Sequence, residues 1–271
     1  MNAKKTISLL FCLCLLLPTY AQDTNTHPWK KRRVAYFGDS ITDPKNDGST
    51  KKYWNFLEEW LGIEPLVYGK SGRQWDDIPR QAELLQKEHG NQFDAIIIFI
   101  GTNDFNKGIP IGTWYDEGIE QVKVATGTVQ GTFARRMRTP AMNDNTYCGR
   151  INKALSTIKK MYPTKQVVLL TPIHRALFDR SETNLQPDER YENSCGEFFD
   201  AYVECVREAG KVWAMPVIDT YALSGLFPVM EEGAIYFHDA DKDRLHPNDA
   251  GQRRIASTLL YQLATLPCVF E

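Results

Sequence analysis

Five short apolar runs are spaced along the chain, and between them apolar residues recur at helical intervals. The runs cover residues 33–37 (RVAYF), 64–69 (EPLVYG), 95–101 (AIIIFIG), 166–172 (QVVLLTP) and 212–219 (VWAMPVID). Each has the length and residue types of a strand. The third is apolar at consecutive rather than alternate positions, as a strand buried on both faces of a parallel sheet must be. Residues 51–62 (KKYWNFLEEWLG) read as a helix that stops at Gly62. Residues 76–90 read as a second, with Asp76 or Asp77 as its cap and Gly90 as its end. A third, over 146–163, places Ile151, Leu155, Ile158 and Met161 or Tyr162 on one face. Two more cover 196–210 and, after Asn248, 249–264. Strand then helix throughout predicts an α/β fold, a parallel sheet of about five strands covered on both sides.

Residues 104–143 break this rhythm. They are rich in Gly and Thr, and Val122 and Val124 beside a Thr/Gly centre predict a β-hairpin excursion. The segment is too short and too weakly apolar to hold a core of its own, so it reads as an insertion near the strand ends. Residues 179–194 read as a polar loop. No internal repeat or low-complexity tract is present.

The most apolar stretch of all, residues 7–18 (ISLLFCLCLLLP), belongs to none of this pattern. It follows Lys4 and Lys5, is too short to span a bilayer, and is followed by a small residue, Ala21. That is the layout of a secretory signal peptide over residues 1–21, with export and cleavage near Ala21 expected. Cys12 and Cys14 raise lipid attachment as an alternative, but Phe11 and Leu13 precede them where small residues belong. Residues 22–271 then form one domain, with no transmembrane anchor. The formal net charge of −2 and the absence of a basic patch exclude a nucleic-acid footprint. Four cysteines follow the leader, Cys148, Cys195, Cys205 and Cys268, at no zinc spacing. Cys195–Cys205 is the bridge to look for if there is one; four buried thiols is the alternative.

Ligands of open α/β sheets sit outside the carboxyl ends of the strands. Four polar clusters fall there: GDSIT at 38–42, GKSG at 69–72, GTND at 101–104, and DKDRLHPND at 241–249. Each has a bland reading as a turn or helix lead-in. GKS lacks the earlier glycine of a phosphate loop, since Glu64 stands there. Residues 239–250 fail as a calcium loop, with Arg244 for the glycine and Ala250 for the glutamate. No Gly-x-Gly-x-x-Gly follows the first strand, and neither cofactor nor metal is called for. Taken together, the clusters hold what acyl transfer needs. Ser40 offers a hydroxyl. Asp243, three residues before His246 on a short pre-helical turn, can orient that imidazole. The Ser40 N–H, the Gly72 N–H and the Asn103 amide are donors for an oxyanion.

Ser40 in GDSIT, Gly72 in YGKSG, Asn103 in GTND and His246 in DRLHPN stand in the order and context of the SGNH, or GDSL-type, hydrolases, which the chain resembles over about residues 32–265. The resemblance implies a flavodoxin-like three-layer α/β/α sandwich and serine esterase chemistry. It implies Ser40 as nucleophile, His246 as base, Asp243 as its partner, and Ser40, Gly72 and Asn103 as oxyanion hole. Asp39 corresponds to the acid of the first block, with a structural role. Ile41 stands where the family's tag often has leucine, a volume-conserving change. The insertion, with PIGTW and TPIHR, resembles a subset of exported bacterial members.

Trp75 and Trp114 are weighed as walls of a sugar or acyl pocket against ordinary packing. His174, at the end of the fourth strand, is weighed as a substrate contact or rival base; neither it nor His238 has an aspartate three residues before it. Arg135, Arg136 and Arg138 read as a solvated hairpin edge rather than a glycan site. Three functions are consistent with this: an exported esterase removing short acyl groups, acetyl foremost, from a carbohydrate; a lipase or lysophospholipase on the same machinery; and a glycan-binding member without chemistry. The oligomeric state is not legible.

Overall fold

The computed structural model describes residues 27–268 and 270. The segment read as a signal peptide lies outside them. The chain runs through β1 (Arg33–Gly38), α1 (Tyr53–Leu61), β2 (Glu64–Val67), α2 (Ile78–His89), β3 (Ala95–Phe99) and the short α3 (Thr102–Asn106). A long hairpin follows, β4 (Tyr115–Thr126) and β5 (Val129–Pro140), then α4 (Tyr147–Met161) and β6 (Gln166–Leu170). A small hairpin, β7 (Phe178–Ser181) and β8 (Asn184–Gln186), leads to α5 (Phe199–Trp213), β9 (Val217–Ile218) and α6 (Thr220–Leu223). The chain closes with β10 (Phe237–Asp239), β11 (Asp243–Pro247) and α7 (Asp249–Thr265).

The main sheet has the order β2-β1-β3-β6-β9, and every pair in it is parallel. Alternate side chains point to opposite faces. Ala35, Phe37, Ile96, Ile98 and Leu169 pack against α2, α4 and α5 through Leu85, Leu155 and Val206. Val34, Tyr36, Ile97, Phe99 and Val168 pack against α1 and α7 through Leu57 and Leu259. The result is the three-layer α/β/α sandwich with five parallel strands that the alternation predicts. From β1 the chain moves to β2 on one side and then to β3 on the other. The strand order therefore reverses beside β1, and a crevice opens there at the carboxyl ends.

Helix ends follow local chemistry. α1 stops at Gly62, whose φ of 65° puts it in the left-handed region, and its N–H bonds to Glu58 O at 2.8 Å. Asn248 caps α7 by accepting from the N–H groups of Ala250 and Gly251 at 3.0 and 3.1 Å. Asp77 stands at the cap position of α2, but its carboxylate pairs instead with Arg80, at 2.7 Å.

Three expectations need correction. The fifth strand, read as 212–219, is only Val217–Ile218, because α5 continues to Trp213. Trp213 belongs to the helix layer, where its indole donates to Asn152 Oδ1 at 2.8 Å; Pro216 then bars further helix. The stretch read as a polar loop and the turn before the last helix together form a second, antiparallel sheet, β10-β11-β7-β8, so Asp243 and His246 stand on a strand. The cysteine readings also fail. Asn193 Oδ1 accepts from the N–H groups of Cys195 and Glu197, and Cys195 is an exposed free thiol. Buried Cys205 instead meets Cys148 of α4, with sulfurs 4.0 Å apart.

The excursion at 104–143 begins within α3 and carries a two-stranded arm paired in register from Tyr115↔Pro140 to Thr126↔Val129. Its base is tied to the body. Ala141 N–H donates to Trp114 O at 3.0 Å, and the Asn152 amide donates to Trp114 O and Ala141 O at 2.9 and 3.0 Å. The Trp114 indole donates to Glu208 at 2.7 Å, so this tryptophan anchors the arm.

The two environments should differ sharply on truncation. Ile97→Ala, in the fully buried centre of β3, should cost about 2–5 kcal/mol in urea unfolding. Ile119→Ala, at a position 74% exposed on the arm, should change stability by less than about 0.5 kcal/mol.

Candidate active site

β1 ends in a glycine because nothing larger fits. A Cβ on Gly38 would lie 2.6 Å from the carbonyl oxygen of Phe99, on the neighbouring strand, and closer still to Thr42 Oγ1. Gln81 of α2 holds the same residue from below. Gly38 N–H donates to Gln81 Oε1 at 2.9 Å, and the Gln81 amide donates back to Gly38 O at 3.0 Å. Beyond the clamp the chain turns at once, with Thr42 and Asp43 N–H groups on Asp39 O at 3.2 and 2.9 Å. The Asp39 carboxylate accepts from Ile41 N–H at 3.1 Å. Ser40 is thereby lifted to the rim of the sheet.

His246 comes to Ser40 from the second sheet. Its Nε2 is 3.0 Å from Ser40 Oγ, and its Nδ1 is 2.9 Å from Asp243 Oδ2. Asp243 and His246 are three apart on β11, on alternate sides of a straight strand. The strand end curls so that the backbone N–H groups of Leu245 and His246 both donate to Asp243 Oδ1, at 3.1 and 2.9 Å. The carboxylate is thus folded back onto the imidazole of its own strand. Phe178 packs edge-on against that ring, with centroids 5.1 Å apart. Since the Asp243 carboxylate can only accept, Nδ1 is the natural carrier of the proton and Nε2 the acceptor for the serine hydroxyl.

Gly72 and Asn103 complete the rim. Gly72 has φ of 79°, and a Cβ there would meet nothing within 4 Å, so its backbone faces open space. Its loop is pinned by Asp43, whose Oδ2 accepts from both the N–H and the hydroxyl of Ser71 at 2.8 Å. Asn103 rides on α3, and its amide donates one hydrogen to Arg73 O at 3.0 Å, leaving the other free. α3 is held by buried Asp104, which accepts from Arg150 at 3.0 Å and from Trp75 N–H at 3.1 Å.

These groups border a cavity of about 550 Å³ lined by Ser40, Gly72, Asn103 and His246 together with Asn106, Lys107, Arg180 and Gln186. Phe178, Leu185 and Leu245 supply its apolar part. Two expected substrate contacts are absent from its walls. Trp75 is fully buried, with its indole on Tyr147 Oη at 3.0 Å, and serves the core. His174 turns toward α6, with Nδ1 2.5 Å from Glu189 and its ring stacked on Tyr221 at 3.5 Å. Lys107, Asn106, Arg180 and Gln186 were not singled out by sequence. They lie in segments with no periodic pattern, and only their position after strand ends could have marked them.

The family model described as GDSL-like lipase/acylhydrolase matches residues 36–254. The chain belongs to this family. It is a serine ester hydrolase of GDSL type. Among solved structures, a protein from Lactobacillus plantarum is similar with a TM-score of 0.62 at 21% identity, covering 86% of this chain and 97% of that one. A lipase/acylhydrolase from Enterococcus faecalis gives 0.52 at 17% identity, over 86% and 95%. An acetylxylan esterase from Geobacillus stearothermophilus gives 0.51 at 18%, over 88% and 96%. At these identities the likeness is one of fold. No curated protein sequence matches the chain.

The charges of this GDSL hydrolase are set by their surroundings. Burial pushes the Asp243 carboxyl upward, but the hydrogen bond and charge of His246 and the two backbone N–H groups outweigh it, so its net shift is downward. Asp39 goes the other way. Burial, with Asp104 and Asp43 adding repulsion, raises it to about 7 against the opposing pull of the Ile41 and Asp39 backbone N–H groups. A carboxyl raised on folding stabilises fully below its unfolded value of about 4, and that contribution is lost as pH climbs through about 7. Wild-type stability should therefore fall relative to Asp39→Asn between about pH 4 and 7, by at most about 1.4 kcal/mol per pH unit, and then level off. Urea unfolding of both proteins across that range checks this; a constant difference would mean an ordinary carboxylate.

Proposed function

We propose that the protein is an exported esterase that removes short acyl groups, acetyl foremost, from a carbohydrate. The observation that carries this reading is the unbroken relay Asp243–His246–Ser40 at the rim of a largely polar cavity. His246 Nε2 takes the hydroxyl proton as Ser40 Oγ attacks the ester carbonyl. The imidazolium that forms faces the ionised Asp243. Charge on the carbonyl oxygen is met by the Ser40 and Gly72 N–H groups and the free hydrogen of the Asn103 amide. The protonated histidine then releases the alcohol, and water, activated by the same nitrogen, frees the acid and restores Ser40.

Asn46, Ser71, Asn106, Thr183, Asn184 and Gln186 give the cavity polar walls suited to a carbohydrate, whereas a long acyl chain needs a continuous apolar groove. The basic start and short apolar core of residues 4–18 support export, which places the enzyme where glycans occur outside the cell.

On nitrophenyl esters, acetate should be hydrolysed faster than octanoate, and Ser40→Ala should lower kcat by about 10⁴-fold or more. Rates that rise with chain length would point to a lipase, and full activity in Ser40→Ala would remove the nucleophile. Asn103→Ala should lower kcat by about 10²–10³-fold with a smaller change in KM, which steady-state kinetics on the acetate ester would show.

A further inference from the structure

Arg175 is the residue that the chemistry above leaves unused. It is fully buried, between the rings of Phe105 and Phe199 at 5.3 and 5.9 Å. Among the described residues, no carboxylate lies within ion-pair distance of its guanidinium. Glu189 is spent on the backbone N–H of Arg175 and the ring of His174, and Asp188 is taken by Arg190. The guanidinium instead donates to Asn106 Oδ1, to Thr102 Oγ1 at 3.2 Å and to Gln186 Oε1 at 3.1 Å. A charge buried without a counter-ion is costly, and hydrogen bonds offset only part of that cost.

Its partners show what the position does. A guanidinium has donors only, so it dictates which end of each amide faces it. The oxygens of Asn106 and Gln186 must point inward, and their NH₂ groups are turned away. The Asn106 amide donates one hydrogen to Gln186 Oε1, and the Gln186 amide donates one to Asn184 Oδ1 at 3.0 Å. Each keeps one N–H, and both residues line the cavity that holds Ser40. Lys107 and Arg180 line the same cavity, and no Asp or Glu is among its lining residues. Arg180 and Asp47, 3.5 Å apart, are 59% and 72% exposed, so water screens both charges and the pair between them is weak.

We propose that this wall is a subsite for a carboxylate, and that the substrate is an acidic glycan with a sugar acid beside the acylated sugar; this rests on the esterase reading above. Hydroxyls donate as well as accept, so neutral sugars are met by mixed donors and acceptors. A wall of two amide N–H groups, an ammonium and a guanidinium matches a group that only accepts. Arg175 is the positioning residue that keeps the two amides turned this way, and its charge adds to the attraction.

The test is binding of tetragalacturonate and of neutral xylotetraose to the Ser40→Ala protein, by calorimetry at low salt. The acidic probe should bind at least ten-fold more tightly, and the advantage should shrink when salt is raised to 0.5 M. Gln186→Glu, which gives Arg175 a carboxylate partner and so should fold, should abolish the preference by replacing a donor with a negative charge. Lys107→Gln combined with Arg180→Gln should do the same. Equal binding of both probes, tighter binding of xylotetraose, no binding of either, or an unchanged preference in Gln186→Glu would each overturn the subsite. Nitrophenyl acetate hydrolysis by the wild type separates the two readings. Hydrolysis without an acidic preference removes the subsite alone, and an acidic preference without hydrolysis removes the esterase reading while the subsite stands.

Discussion

The junction at Gly38 is the constraint on which the rest of the site depends. β1 and β3 are adjacent parallel strands, and the chain leaving β1 must turn within the space bounded by the Phe99 carbonyl and the Thr42 side chain. Only a residue without Cβ passes. Gln81 closes the junction from α2 by satisfying both backbone groups of Gly38, which the end of the ladder would otherwise leave unpaired in the interior. The clamp joins the helix layer, the strand and the turn that raises Ser40. A shift of α2 would therefore move the serine hydroxyl relative to His246, which arrives on a different sheet and shares none of these contacts.

The parts of the molecule that were legible in sequence are those built by periodic burial. Ile96–Ile98 are apolar in succession because both faces of β3 are covered, and Gly62 and Gly90 mark helix ends by taking positive φ. The positions of Ser40, Gly72, Asn103 and His246 could be read because an α/β sheet collects whatever follows its strands at one edge. The second sheet could not. Asp179, Arg180 and Ser181 are exposed, so β7 carries no apolar alternation, and β11 pairs with it through a single register, Asp243 with Phe178. That strand exists by tertiary context rather than propensity. The tryptophans misled for a related reason. Trp75 and Trp114 sit beside site segments in sequence, yet one fills the core and the other ties down the arm.

Gln81 and Arg175 were invisible for a different reason. Each acts through backbone or amide groups far along the chain, 43 residues away for Gln81 and Gly38, and 69 for Arg175 and Asn106. Such partners leave no local pattern. Gln81 leaves only the trace of a polar residue on the buried face of a helix, and Arg175, in the loop between β6 and β7, leaves none until the fold shows the position to be buried.

Three of the buried charged residues share one region and one logic. Asp39 lies under Ser40, Asp104 is clamped by Arg150 under Asn103, and Arg175 lies behind Asn106 and Gln186. Removing any of these from water costs free energy that a fold alone could save with apolar residues. Each instead fixes a polar group on the rim: the turn that presents the serine, the helix that carries the asparagine, and the amides of the far wall. Aliphatic and aromatic clusters fill the interior on both faces of the sheet. Stability is thus held by the layered core, and the sheet's carboxyl edge is where it is given up for orientation. Where β1, α3 and the second sheet meet, hydrogen bonds orient the serine turn and the donor wall alike. A substrate entering the site meets groups already facing their final direction, so little of its binding free energy goes into ordering the protein.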